Sequence, residues 1–165
     1  MSGIVHLLLG SNIDDRKHHL DSSIKLIEER VGEILQRSSV YESESWGFEA
    51  TPFYNQVLSV RTWHNPYKVL NLVLKIEKEL GRERHEKSDT YNSRTVDIDL
   101  LFYQKLVINS QNLILPHPRL HERMFTLLPL NEISSDFIHP VLKMSVADLV
   151  LKCEDKLWVK KLENA

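Results

Sequence analysis

One spacing of apolar residues, four then three then four, occurs twice in this chain, each time between runs of strand-forming residues. Leu20, Ile24, Ile27 and Val31 make the first set, and Val69, Val73, Ile76 and Leu80 the second. Residues at those intervals share one face of an α-helix, so each stretch needs an apolar surface to lie on. The flanking runs supply it. Gly3 to Leu9, Glu33 to Ser45, Phe53 to Trp63 and Val96 to Tyr103 all read as strands. Punctuation agrees: Gly10-Ser11-Asn12 has turn chemistry, Gly32 and Gly81 stand where helices stop, and Asn65-Pro66 is a cap followed by a first-turn proline. The order β-α-β-β-α-β is that of split-βαβ, ferredoxin-like folds. It predicts an α+β chain, a mostly antiparallel sheet flanked by helices. C-terminal additions follow: a short strand near Val107, a helix over about Arg123 to Glu132 and another from about Ser145. With no linker or repeat, residues 1–165 read as one domain.

Composition narrows the function. Lys and Arg number 21 against 23 Asp and Glu, a net charge of −2, which argues against a general nucleic-acid binder. Cys153 is the lone cysteine, so neither an internal disulfide nor a Cys-rich zinc site can form. No apolar run approaches the roughly 20 residues of a membrane-spanning helix, and the apolar N-terminal run has no basic region before it. The expectation is a cytoplasmic protein without a nucleic-acid or membrane partner.

The sharpest chemical signal is Arg94-Thr95-Val96-Asp97-Ile98-Asp99-Leu100-Leu101. Alternation on a strand puts Asp97 and Asp99 on one face, about 7 Å apart, with Val96, Ile98, Leu100 and Phe102 on the other. Two like charges at that spacing repel, and a hard divalent cation with oxygen ligands would offset them. Taken alone, the pair is more simply explained by a solvated sheet face or a charged edge that blocks aggregation. The neighbourhood favours the cation: Arg82, Arg84 and Arg94 bracket a polar, irregular stretch just before the aspartates, and Arg119 and Arg123 follow near His117 and His121. Forked guanidinium groups match phosphate oxygens, and metal with arginines is what phosphoryl transfer needs. The chain has neither a Gly-x-x-x-x-Gly-Lys-Ser/Thr loop nor a Gly-x-Gly-x-x-Gly turn, so phosphate must be held by side chains and metal.

A second group is aromatic. Tyr41, Trp46, Phe48, Phe53 and Tyr54 cluster in sequence with Asn55 beside them, and Phe125 lies far downstream. Flat rings and one amide suit a planar heterocycle, although aromatics at a strand start commonly belong to the core. His117 sits in the rigid Pro116-His117-Pro118 turn, and His6 alternates along the first strand as a core histidine would. No Cys/His or Ser/His/Asp arrangement points to nucleophilic catalysis.

These segments, taken in order, resemble one family. Gly10-Ser11-Asn12, the run from Ser38 to Gly47, Phe53-Tyr54-Asn55, Ile76-Glu77, Gly81-Arg82-Glu83-Arg84, Arg94 to Asp99, Leu115 to Arg119 and Arg123-Met124-Phe125 together resemble 6-hydroxymethyl-7,8-dihydropterin pyrophosphokinases of folate biosynthesis. The resemblance implies a single pyrophosphokinase domain over 1–165, expected to be a monomer. It implies transfer of pyrophosphate from ATP to the pterin hydroxymethyl group with release of AMP. Two Mg²⁺ ions would accompany ATP, with Asp97 and Asp99 matching the metal ligands. Arg84 and Arg94 match phosphate contacts, with Arg82 in the same segment, and these three arginines are the expected catalytic cations. Glu77, His117 and Arg123 match further ATP contacts. Asn55 matches the amide that reads the pterin edge, Phe53 and Phe125 the rings on either side, and Ser43 to Trp46 a loop that helps hold it. The segment from Arg82 to Ser93 is expected to close over ATP. Departures stand at Tyr91-Asn92-Ser93, where the family usually has Trp-Gly-Pro, at Pro118 and at Leu74. A polymerase-β-type nucleotidyltransferase would have its aspartates soon after the Gly-Ser, an aspartyl phosphatase after the first strand; neither spacing occurs here. An RNA-binding sheet module fits poorly with the near-neutral charge.

Overall fold

The computed structural model describes residues 1–45, 51–85 and 95–163, excepting the side chains of 82–85. The chain folds as a mixed helix and antiparallel-sheet protein. Its first half runs β1 (Gly3–Ser11), α1 (Arg16–Arg30), β2 (Glu33–Arg37), β3 (Tyr41–Ser43), β4 (Phe53–Thr62), α2 (Pro66–His85) and β5 (Asp97–Tyr103). Then come β6 (Ile108–Asn109), β7 (Ile114–Leu115), a 3-10 turn at Leu120–Glu122, α3 (Met124–Ser134), α4 (Val146–Lys152) and β8 (Val159–Lys161). The main sheet has six strands in the order β5-β1-β4-β3-β8, with β2 also pairing β4, and every ladder is antiparallel. β6 and β7 form a separate ribbon. Among the described residues no helix is long and apolar enough to cross a membrane.

Strand alternation splits the core between the two faces of this sheet. Val5, Leu7 and Leu9 of β1 pack with the 4-3-4 stripes of α1 and α2. Leu8 and Val57 face the other way, onto Leu127 and Leu130 of α3 and Val146 and Leu149 of α4. Both helical stripes are therefore placed as their spacing predicts.

Several details differ from the sequence reading, each for a physical reason. The expected strand from Glu33 to Ser45 is two strands. Between them Ser38 Oγ accepts from Val57 N at 2.9 Å and Gln56 Nε2 donates to Ser38 O at 2.8 Å, so side chains replace part of the ladder. Gly81 does not end the second helix, which continues through the expected irregular residues 82–85. A Cβ at Gly81 would meet nothing within 4 Å, so this glycine costs only helix propensity. Phe102 lies with Leu8 and Val57 rather than with Ile98 and Leu100, because the β1–β5 register shifts between His6 and Leu7 and resets the alternation. At Gly32 a Cβ would stand 2.0 Å from Arg61 O, so close approach of the chain, rather than a cap conformation, requires glycine there.

Candidate active site

The sheet itself builds the floor of the site. Gly10 of β1 stands opposite Asn55 of β4 on one side and Asp97 of β5 on the other, and Leu8 stands opposite Asp99. Gly10 thus belongs to the strand rather than to the turn expected of it, since β1 runs on through Ser11. Residues in one row across paired strands point to the same face, so Asn55, Asp97 and Asp99 share the face that Leu8 presents to α3. Phe53, two residues before Asn55, joins them. A Cβ on Gly10 would lie 3.6 Å from Asn55 Oδ1 and 3.7 Å from Phe53 Cδ1. Any larger side chain would grow into the space these groups border.

That space is a cavity of about 390 Å³. Asp97 and Asp99 form one wall, Asn55, Phe53 and Leu8 the floor, and Ser43 and Glu44 the β3 side. Phe125, Arg123, Arg119 and Glu122 close the α3 side. Of the residues expected to bind or react, the cavity brings together Ser43, Phe53, Asn55, Asp97, Asp99, Arg123 and Phe125.

Asn55 is oriented by its own strand neighbours. It is 2 % exposed, and Nδ2 donates to Tyr41 O at 3.1 Å and to Ser43 Oγ at 2.8 Å. With both amide hydrogens directed at β3, Oδ1 is turned toward Gly10 and the cavity as an acceptor. Arg123 lies with its guanidinium 5.6 Å from the Phe125 ring centroid, within reach of a cation–π contact.

Two expected ATP contacts stand behind the walls. Glu77 of α2 accepts from Ile98 N at 2.7 Å, gripping β5 between the two aspartates. His117 donates its backbone N–H to Leu101 O at 3.0 Å, and its Nδ1 accepts from Arg119 N at 3.2 Å. Burial, then Arg123 and Arg119, push its pKa down to about 4, so the ring is neutral at pH 7 and carries its proton on Nε2. Trp46 and Arg94 lie outside the described residues, as do the side chains of Arg82 and Arg84 on the last turn of α2. The expected closing segment lies outside them too, beyond residue 85.

Two further polar residues of the cavity fall within segments that the sequence marks: Glu44 in the run from Ser43 to Trp46, and Arg119 among the arginines matched to phosphate. Glu122 carried no signal, because only the 3-10 turn brings it to the rim. The aromatic group divides: Phe53 and Phe125 reach the cavity, whereas Tyr41 is core, 7 % exposed, its hydroxyl donating to Glu132 at 2.7 Å.

Among the described residues no group of three or more His, Cys, Asp or Glu could hold a metal ion by itself. Asp97 and Asp99 supply two hard oxygen donors on one face of a cavity that also presents Arg119 and Arg123. That donor set fits Mg²⁺, which is commonly held by one or two carboxylates with substrate phosphates and water completing the shell.

Comparison with known proteins points the same way. The profile of the 7,8-dihydro-6-hydroxymethylpterin-pyrophosphokinase family matches residues 6–135. The 2-amino-4-hydroxy-6-hydroxymethyldihydropteridine pyrophosphokinase of Porphyromonas gingivalis is 38% identical over 139 residues, 83% of this chain and 94% of that protein. The Aquifex aeolicus protein of the same name is 42% identical over 138 residues, 83% of this chain and 84% of its own length. Among solved structures, wild-type HPPK-DHPS of Plasmodium falciparum with pteroate superposes with a TM-score of 0.72 at 19% identity, over 92% of this chain. This chain spans 42% of that larger protein, and the likeness is one of fold. On the profile and the curated relatives, the chain belongs to the 7,8-dihydro-6-hydroxymethylpterin-pyrophosphokinase family.

Proposed function

We propose that this chain transfers the pyrophosphoryl group of ATP to the hydroxymethyl group of 6-hydroxymethyl-7,8-dihydropterin, releasing AMP, in folate biosynthesis. The observation that carries the reading is the shared floor. One sheet face gives a single cavity an amide acceptor, an aromatic ring and paired carboxylates, and Phe125 and Arg123 face them from α3. In this reading residues 1–165 are one domain on a ferredoxin-like core, to which the β4-adjacent strand β3 adds β8.

In the reaction the hydroxymethyl oxygen bonds to the β-phosphorus of ATP. The bond from that phosphorus to the oxygen bridging to the α-phosphate breaks, and AMP departs with the electron pair. The hydroxyl proton passes to solvent, and no side chain among the described residues stands out as a general base. Phe53 and Phe125 sandwich the pterin, and Asn55 Oδ1 accepts from a ring N–H, fixing which edge lies innermost. Ser43, at the end of β3, holds the outer edge together with Trp46. Arg123 and Arg119 offset charge on the phosphates, and Arg82, Arg84 and Arg94 contribute further cations from the segment before β5. Neutral His117 offers Nε2–H as a donor to the nucleotide. Glu77 steadies the strand that carries the aspartates and faces the nucleotide side. Asp97 and Asp99 would hold two Mg²⁺ ions, which when bound neutralise phosphate charge as it develops.

Product analysis tests this. Incubated with ATP, Mg²⁺ and 6-hydroxymethyl-7,8-dihydropterin, the protein should form AMP and the pterin diphosphate in equal amounts. ADP, free pyrophosphate, or no nucleotide product dependent on the pterin would reject it.

A further inference from the structure

We propose that Asp155 is a positioning residue for the pterin subsite, acting through the C-terminal segment that joins the subsite's two walls. The inference rests on the pterin reading of the cavity given above. Asp155 lies beyond residues 6–135, the span matched by the family profile.

The start of α3 lacks a cap of its own. Arg123 precedes it in an extended conformation with no side-chain capping bond, and the first turn holds no acidic residue. The backbone N–H of Met124 would be left without a partner. Asp155, far along the chain, fills the gap: its Oδ2 accepts from Met124 N at 3.0 Å. Its Oδ1 accepts from Leu157 N at 3.0 Å, bending the chain toward β8. One carboxylate therefore fixes a helix start and a strand entry together. Charge-assisted bonds of this kind at a helix N-terminus are the stronger class.

Both ends of this bridge reach the cavity. Met124 is flanked by Arg123 and Phe125, which line the α3 side. Beyond Leu157, Glu44 N donates to Trp158 O at 3.2 Å and Trp158 N to Glu44 Oε2 at 3.4 Å. Val159 then pairs with Ser43. Glu44 and Ser43 line the β3 side. The path from Phe125 through Asp155 and Trp158 to Ser43 thus sets the spacing across the subsite, although neither Asp155 nor Trp158 lines it. Asp97 and Asp99 stand on β5, at the far side of the sheet from β8. Loosening the bridge should therefore spare the metal side and fall chiefly on the pterin, with a lesser effect on ATP through Arg123, which adjoins Met124.

The test is a split in kinetic constants. With Asp155→Ala, the KM for the dihydropterin at saturating ATP should rise about tenfold, because small misplacements of binding groups are costly. The KM for ATP should rise less, by no more than about threefold through Arg123, and kcat should stay within about twofold. Asp155→Asn keeps the side chain's size and one acceptor oxygen, and should fall between Ala and wild type. Equilibrium binding of the dihydropterin, read without turnover, should weaken in the same order. A pterin KM in both variants within about twofold of wild type would overturn the proposal. So would ATP and pterin KM values rising by a common factor, which is what general destabilisation produces. If Asp155→Ala does not fold, the same split is required of Asp155→Asn, and its absence overturns the proposal. Failure of the wild-type protein to form AMP with this pterin is a separate result and counts against the reaction, not against the bridge.

Discussion

Asp97 and Asp99 stand on a strand braced along its length by β1, whereas Phe125 stands at the start of a helix docked onto the sheet through side chains. The acidic wall inherits its geometry from backbone pairing. Two residues apart on β5, its carboxylates are held in register opposite Gly10 and Leu8, and Glu77 pins the peptide between them. The α3 wall depends on contacts between segments remote in sequence. Glu132 accepts from Tyr41 Oη at 2.7 Å and Ser39 N at 2.9 Å and pairs with Lys161 at 3.6 Å. His6 Nε2 meets Ser134 Oγ at 2.8 Å, and Asp155 caps Met124. Burial raises the pKa of Glu132, but the hydrogen bonds from Tyr41 and Ser39 and the charge of Lys161 outweigh it and hold the carboxyl below its usual range. The contrast teaches that one cavity can join a wall set by a single strand to a wall assembled from five separate segments.

The largest expected effect is on the strand-built wall. Asp97→Asn and Asp99→Asn should each lower kcat by about a thousandfold or more, since metal-held charge stabilisation supplies several kcal/mol. Circular dichroism and melting temperature should change little, because both residues sit on a strand whose pairing is backbone to backbone. A variant that keeps more than about a tenth of wild-type AMP formation would break the assignment of this wall.

The same contrast governs what could be read from the chain. The acidic pair and both helical stripes were legible because period-two and 4-3-4 patterns are local and geometric. Phe102 was not, since the register shift beside His6 and Leu7 is a property of two strands together. Nor was the break at Ser38, whose hydroxyl competes with a ladder that only β4 could reveal. Gly81 read as a stop because glycine commonly is one; nothing in its own neighbourhood announces a helix that continues to His85. The β8 strand and the Asp155 cap had no local signature, because their partners lie at Ser43 and Met124. Asn55 was legible as a candidate through its place beside Phe53, while the direction of its acceptor became visible only with Tyr41 and Ser43 in place.

A smaller, more selective effect is expected at the docked wall. Phe125→Ala removes one of the stacking faces, and stacking of a heterocycle on an aromatic ring is worth about 1–3 kcal/mol. The pterin KM should rise between about fivefold and a hundredfold while the ATP KM stays within about twofold. Equal loss for both substrates would mean that Phe125 supports the whole cavity, which would erase the distinction between the walls.

The smallest effect concerns stability rather than turnover and arises where α3 meets β1. Burial pushes the pKa of His6 down to about 4, and the ring packs against Phe102 and Phe137 with Nε2 at Ser134. In the unfolded chain His6 takes its proton near pH 6.5. Between pH 6.5 and about 4 the unfolded chain therefore binds more protons than the folded one, so stability rises with pH there and falls on acidification. The loss attributable to His6 should grow to at most about 3 kcal/mol by the lower end. His117, pushed down to about 4 by burial and its arginine neighbours, adds a loss of the same sign. Denaturant unfolding of wild type at pH 7.5, 6 and 5 should show the decline, and His6→Gln should flatten it without abolishing it, because His117 remains. An unchanged slope in His6→Gln would show that the ring ionises in place and that the docking of α3 on β1 does not depend on its neutrality.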